Sequence, residues 1–299
     1  MNSLFLIVLL CTYFCCKKEE LKSEVILKEE VLQPHVQLEG KPTYIDSTSL
    51  ISFHNKVLTD FYKSTNYRTV WQSKEKREVI LDKLFKSDQE GLNPEDYNIG
   101  KLFDFEKKAT ILDSLDLAKY DILLTSSLQQ YISHLTNGRL NPLKLYKNWD
   151  LKENEIDINA TVVQLLQSDS LAYKIEQLKP NHIVYKKLKK ALQLINTFPK
   201  DNFKPIKFTK TILANDTNPS VIDIKKRLIY WKELQPKDSL TPVYDEETVM
   251  ALKKFQSRHG LAIDAKIGPG TIASLNFSKN QRTQQILVNL ERWKWYPKQ

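Results

Sequence analysis

The chain has 299 residues, a formal net charge of +9 and 41% hydrophobic residues, so it can build a sizeable core plus a smaller module; only seven glycines argue against a turn-rich β fold. All three cysteines fall in the first sixteen residues, which leaves the rest without an internal disulfide and without a thiol for catalysis. The positive balance invites a nucleic-acid reading, but the densest basic cluster, Lys186, Lys187, Lys189 and Lys190, shares its segment with Val184, Leu188, Ala191, Leu192 and Ile195 and reads as the wet face of an amphipathic helix. No nucleic-acid partner is expected.

From the N-terminus, the apolar run Leu4 to Phe14 is too short to span a bilayer as a helix and suits a signal peptide. Cys15-Cys16-Lys17-Lys18-Glu19-Glu20 resembles the end of a bacterial lipoprotein signal. That resemblance implies a signal over residues 1–16, lipidation of Cys16 and a membrane-anchored, periplasmic protein. Residues 17–46, with Pro34, Gly40 and Pro42, read as a tether. Apolar spacing near 3.6 predicts helices near 47–65, 74–89, 114–136, 159–168 and 182–197, a helical body over 47–204. Within it, Gly91-Leu92-Asn93-Pro94 marks a helix stop and restart, which accounts for Glu95 and Asp96 as first-turn acids better than as an acid/base pair. Pro205 to Leu213 alternates β-branched and aromatic residues and predicts one short strand in a linker over 205–217.

The stretch 218–277 reads as a three-helix module. Asn218 caps a helix with Pro219 at its first position and Val221, Ile224, Leu228 and Trp231 on one stripe. Asp245 caps a second helix, with Val249, Leu252 and Phe255 buried, Gly260 as a left-handed stop and Leu261 folding back on Phe255. Gly268-Pro269 opens a third, Thr271 to Leu275. Three helices this small bury little surface, so packing against the rest of the chain is expected to stabilise them.

The pattern Asp245, Thr248, Phe255, Gln256, Gly260, Leu261, Asp264, Gly268, Thr271 and Leu275 resembles the signature of the three-helix peptidoglycan-binding domain, and so implies peptidoglycan as a partner. The family has glycine where this chain has Ala265, a position where positive φ would cost alanine roughly 1 kcal/mol. Ile80 to Tyr97, Leu124-Thr125 with Tyr131, Gly138-Arg139-Leu140-Asn141-Pro142 and Asn289-Leu290-Glu291-Arg292-Trp293-Lys294-Trp295 resemble the scaffold and lead-in tracts of large Gram-negative L,D-transpeptidases. The resemblance implies a mainly α protein: a helical scaffold, a peptidoglycan-binding-like module with its ligand groove between the second and third module helices, and a lead-in helix over 278–299.

Those enzymes use a cysteine activated by a histidine, and no Cys/His pair can be assembled here, so no catalytic residue is expected. The sequence reads as the non-catalytic portion of such an enzyme, either the front of a longer product or a natural non-catalytic version. An adaptor docking other cell-wall enzymes is the alternative. His35, His54, His134, His182 and His259 stand singly, so no metal and no cofactor are expected. His259, beside the helix stop, is placed to favour the dipole as a cation. Trp231 is assigned to the core. Trp293 and Trp295 are expected to be partly exposed, in an apolar patch at that end.

Overall fold

The computed structural model describes residues 42–51 and 53–297. The signal, Cys16 and most of the tether lie outside them. Among the described residues, thirteen α-helices and two 3-10 segments make a mainly α protein, and the only β pairings are isolated bridges.

The first core is built around the long helix α5 (Ser114–Asn137). α1 (Ser47–Ile51), α2 (Lys56–Ser64), α3 (Lys74–Phe85), α4 (Ile99–Lys107), α7 (Ile158–Leu166) and α8 (Leu171–Gln177) complete it, with α6 (Pro142–Leu145) as a short turn of helix at its edge. The helix expected over 47–65 is two helices. His54 takes φ +45°, which no continuing helix accepts, and Asn55 restarts the chain by accepting the Leu58 N–H at 3.2 Å. Residues 43–45, at the end of the range read as a tether, join the body: Thr69 donates to the Thr43 carbonyl at 2.9 Å, and Ile45 is fully buried.

Buried polar groups bind this core across long sequence separations. Asp121 accepts from the Tyr62 hydroxyl at 2.6 Å and from the Val70 and Trp71 amides at 2.8 Å, fixing the loop after α2 onto α5. Burial pushes its carboxyl up to about 6 although those donors oppose the shift. Arg77 grips Glu106 with two nitrogens, at 2.9 and 3.1 Å, and donates to the Trp71 and Gln72 carbonyls.

The second core joins α9 (Ile183–Asn196), the module helices α10 (Ser220–Tyr230), α11 (Glu246–Arg258) and α12 (Pro269–Leu275), and α13 (Lys279–Lys294). The module therefore shares its apolar interior with α9 and α13, as its size requires. On α9, Tyr185, Leu192 and Ile195 are buried; Lys186, Lys187 and Lys190 face water, but Lys189 turns to Glu90.

No strand forms over 205–213. Only Ile212 bridges, to Ile267, because the Ile206 backbone is taken by a side chain: its N–H donates to Asn276 Oδ1 at 2.8 Å and its carbonyl accepts from Nδ2 at 2.9 Å.

Candidate functional site

Two regions carry the candidate chemistry: the module, and the cleft where α13 meets the scaffold. In the module, Asn218 Oδ1 accepts the Ser220 N–H at 2.9 Å, so α10 opens one residue later than read. Asp245 Oδ1 accepts the Thr248 N–H at 2.9 Å and its hydroxyl at 2.6 Å, while Oδ2 pairs with the buried Lys225 ammonium at 2.5 Å. Burial would raise the Asp245 pKa, but the hydrogen bonds from Lys225 and Thr248 hold it at about 2. Lys225 was not legible as a partner, lying twenty residues upstream on a helix face that reads as wet. At the other end of α11, Gly260 has φ +64°, the Leu261 N–H reaches the Gln256 carbonyl at 2.9 Å and the Gly260 N–H reaches that of Ser257 at 3.4 Å. This is the Schellman stop the sequence predicts.

Gln256 is the hub of the next turn. Its Nε2 donates to Asp264 Oδ1 at 3.0 Å and the Lys266 carbonyl at 3.2 Å, while its Oε1 accepts the Ala265 N–H at 3.0 Å. The Thr271 hydroxyl donates to the same Lys266 carbonyl at 3.2 Å, and the Tyr244 hydroxyl to the Ala265 carbonyl at 2.8 Å. Thr248, Phe255, Gln256, Thr271 and Leu275 are all buried, so they serve the interior of the module and cannot themselves meet a ligand. Surface for contact comes from Ala262, Ile263, Asp264 and Lys266. Ala265 has φ +57°, and Ala265→Gly is expected to stabilise the protein by about 1 kcal/mol, read as a higher denaturant midpoint with an unchanged slope.

His259 departs from its expected role. It is half-buried, and its Nδ1 accepts from Arg282 at 3.1 Å; burial first, then Arg282 and Arg258, pull its pKa down to about 4. It is neutral at physiological pH and adds no charge to the helix dipole. Trp231 is buried as expected, under the Arg282 guanidinium.

The second region unites tracts far apart in sequence. Gly138 ends α5 at φ +76°, and Glu291 Oε1 on α13 accepts the next two amides, Arg139 at 2.5 Å and Leu140 at 2.8 Å. Arg139 pairs with Asp96 at 3.1 Å, and Gly91, at φ +70°, leaves room for Leu287 and Leu290. Trp295 is buried, against expectation, because it wedges edge-on against Trp149 and Tyr146. Trp293 is only partly covered. The exposed apolar residues at this end are Leu140, Leu143, Leu145, Tyr146 and Tyr296.

A cavity of about 370 Å³ opens beside this junction, lined by Thr136, Asn154, Pro180, Asn181, His182, Trp293, Lys294, Tyr296 and Pro297. His182 stacks on Trp293 at 4.1 Å and Trp293 on Tyr296 at 4.9 Å. Asn154 Nδ2 donates to the Thr136, Lys294 and Tyr296 carbonyls, pinning the end of α13. No cluster of metal-ligating side chains occurs among the described residues, and no helix there is long and apolar enough to cross a membrane.

Residues 56–192 match the Scaffold domain family and residues 217–275 the peptidoglycan binding domain family. Together the two matches fit an architecture of scaffold domain followed by peptidoglycan-binding domain. No curated protein matches it. The peptidoglycan-binding domain supports peptidoglycan as the partner and a cell-wall-associated, extracytoplasmic location. Its boundaries coincide with the network just described, from Thr217, bridged to Val243, to the buried Leu275.

Proposed function

We propose that this chain binds the cell wall through its module and positions it for L,D-transpeptidase-type cross-linking, supplying placement and no covalent step. The observation that carries this is the division of labour in the module: signature side chains satisfy one another inside, leaving the α11–α12 turn as an outward surface. In this reading the protein is a periplasmic lipoprotein anchored through Cys16, and the cross-linking it serves joins stem peptides as a 3→3 cross-link through a cysteine acyl-enzyme. The described residues contain no cysteine and so offer no thiol nucleophile, which supports a non-catalytic role for the part described.

Sedimentation with isolated sacculi tests the reading. The purified protein is expected in the pellet, and Ile263→Glu combined with Lys266→Glu is expected to reduce the pelleted fraction several-fold while leaving thermal unfolding unchanged. A protein that stays in the supernatant favours the adaptor reading, in which the module is a spacer. Exchange or hydrolysis of stem peptides by the purified chain would contradict the non-catalytic assignment.

A further inference from the structure

The outward face of α9 carries positive charge that nothing in the fold neutralises. Ile183, Lys186, Lys187, Lys190 and Leu194 follow at i, i+3, i+4, i+7 and i+11, so all five share one side of the helix. The opposite side packs on α13 and on the 3-10 segment after α3, and it buries Tyr185, Leu192 and Ile195. Lys189 lies at the flank and is taken by Glu90. Among the described residues, Lys186, Lys187 and Lys190 form no ion pair and no side-chain hydrogen bond, and the helix itself, IVYKKLKKALQLIN, holds no acidic residue. Three like charges within two turns repel one another, and an anionic surface laid against them reverses that cost.

The same face exposes two large apolar side chains, Ile183 at 60% and Leu194 at 52%, one at each end of the lysine group. This is what separates the possible partners. A merely solvated face has no use for them, and a hydrated polyanion gains little by covering them. A bilayer surface uses both features: headgroup phosphates take the ammonium groups, the lysine stems lie along the interface, and short apolar side chains reach the acyl boundary beneath. We infer that the outward face of α9 lies on an anionic phospholipid surface, with Lys186, Lys187 and Lys190 against the headgroups and Ile183 and Leu194 entering the layer.

A helix lying flat in this way sets which side of the body meets the bilayer, with α13 on the far side of α9. An acyl group on Cys16 would hold the protein near a membrane without fixing its orientation, and the α9 contact supplies that orientation. The inference rests on the membrane-side location in the reading above for its place in the cell. It requires neither the module's grip on the wall nor the acyl group itself.

Lysine acetylation of the full chain by a water-soluble reagent tests the contact, with the rate at each lysine read by mass spectrometry. The chain is mixed with vesicles of phosphatidylcholine alone or of phosphatidylcholine with phosphatidylglycerol. On the anionic vesicles Lys186, Lys187 and Lys190 are expected to react at least fivefold more slowly, while Lys152 and Lys253, exposed elsewhere on the body, keep their rates. Both vesicles offer an acyl anchor the same apolar interior, so their difference reads the charged face. Salt at about 1 M, where the screening length is about 3 Å, should restore the rates. Ile183→Ser combined with Leu194→Ser is expected to remove at least half of the protection at an unchanged denaturant midpoint, since both side chains are exposed. Equal rates on the two vesicles, or slowing shared evenly by Lys152 and Lys253, overturns the inference. So does equal protection by polyglutamate or duplex DNA, or protection that survives the loss of Ile183 and Leu194, either of which assigns the face to a soluble polyanion. Sacculus sedimentation reads the module and intact mass reads the Cys16 acyl group, so each result can fail without the others.

Discussion

Gly138→Ala is expected to destabilise the protein by on the order of 3–5 kcal/mol, among the largest effects of any single methyl addition to this chain. Two costs add. At φ +76° and ψ 174°, Gly138 occupies a region that L-residues essentially do not visit. A Cβ there would lie 2.6 Å from Glu291 Oε1 and 2.7 Å from Trp295 Nε1. Neither neighbour can retreat: Glu291 is held by the Arg139 and Leu140 amides, and Trp295 is wedged against Tyr146 and Trp149. Relief therefore requires α13 to lift from α5, which opens the second core at Leu290. Equilibrium denaturation measures the loss, and hydrogen exchange locates it, with faster exchange expected in α13. A variant within about 1 kcal/mol of the parent sequence would show that the junction is soft and the argument wrong.

That junction also shows what a single sequence conveys. Gly138-Arg139-Leu140 and Leu290-Glu291 stood out only as separate tracts carrying a family likeness, and Gly91 only as a local helix stop within another. Nothing local says that Glu291 caps amides some 150 positions away, since the information lies in the packing of α13 against α5. Local features were readable: the Asp245 cap and the Gly260 stop each depend on a few neighbouring residues, whereas the positive φ of Ala265 was suggested only by the family likeness. The mainly α class and the spans of α5 and α9 followed from apolar periodicity for the same reason. Where an expectation failed, a distant group had intervened. Asn276 took the Ile206 backbone hydrogen bonds in place of a partner strand, burial with Arg282 beside it kept His259 neutral, and Trp149 with Tyr146 covered Trp295. The split of the first helix is different, a local event at His54 that apolar spacing alone does not register.

Glu90 is where the two cores are tied electrostatically, and Glu90→Ala is expected to cost about 3 kcal/mol. The residue is 3% exposed, ends the 3-10 segment after α3, and receives Lys179 at 2.7 Å, Lys189 and the Tyr185 hydroxyl at 2.8 Å. Tyr185 and Lys189 lie on α9, in the second core, so removing the carboxylate leaves two cations facing each other across the interface. Lys179 and Lys189 keep some contact with water, which is why the expected loss sits at the lower end for a broken buried pair. Burial by itself would raise the Glu90 pKa, but the two lysines outweigh it and hold the carboxyl below its ordinary value. A carboxyl depressed in the folded state contributes stability that is complete above its unfolded pKa and fades as pH falls through that value towards the folded one. The parent protein should thus lose stability on acidification below about pH 4.5 with a contribution that Glu90→Gln lacks. Denaturant midpoints from pH 3 to pH 7 measure the difference: the two curves should converge in acid and separate towards neutrality. Parallel curves would mean that Lys179 and Lys189 are satisfied by solvent and that Glu90 does not tie the two cores.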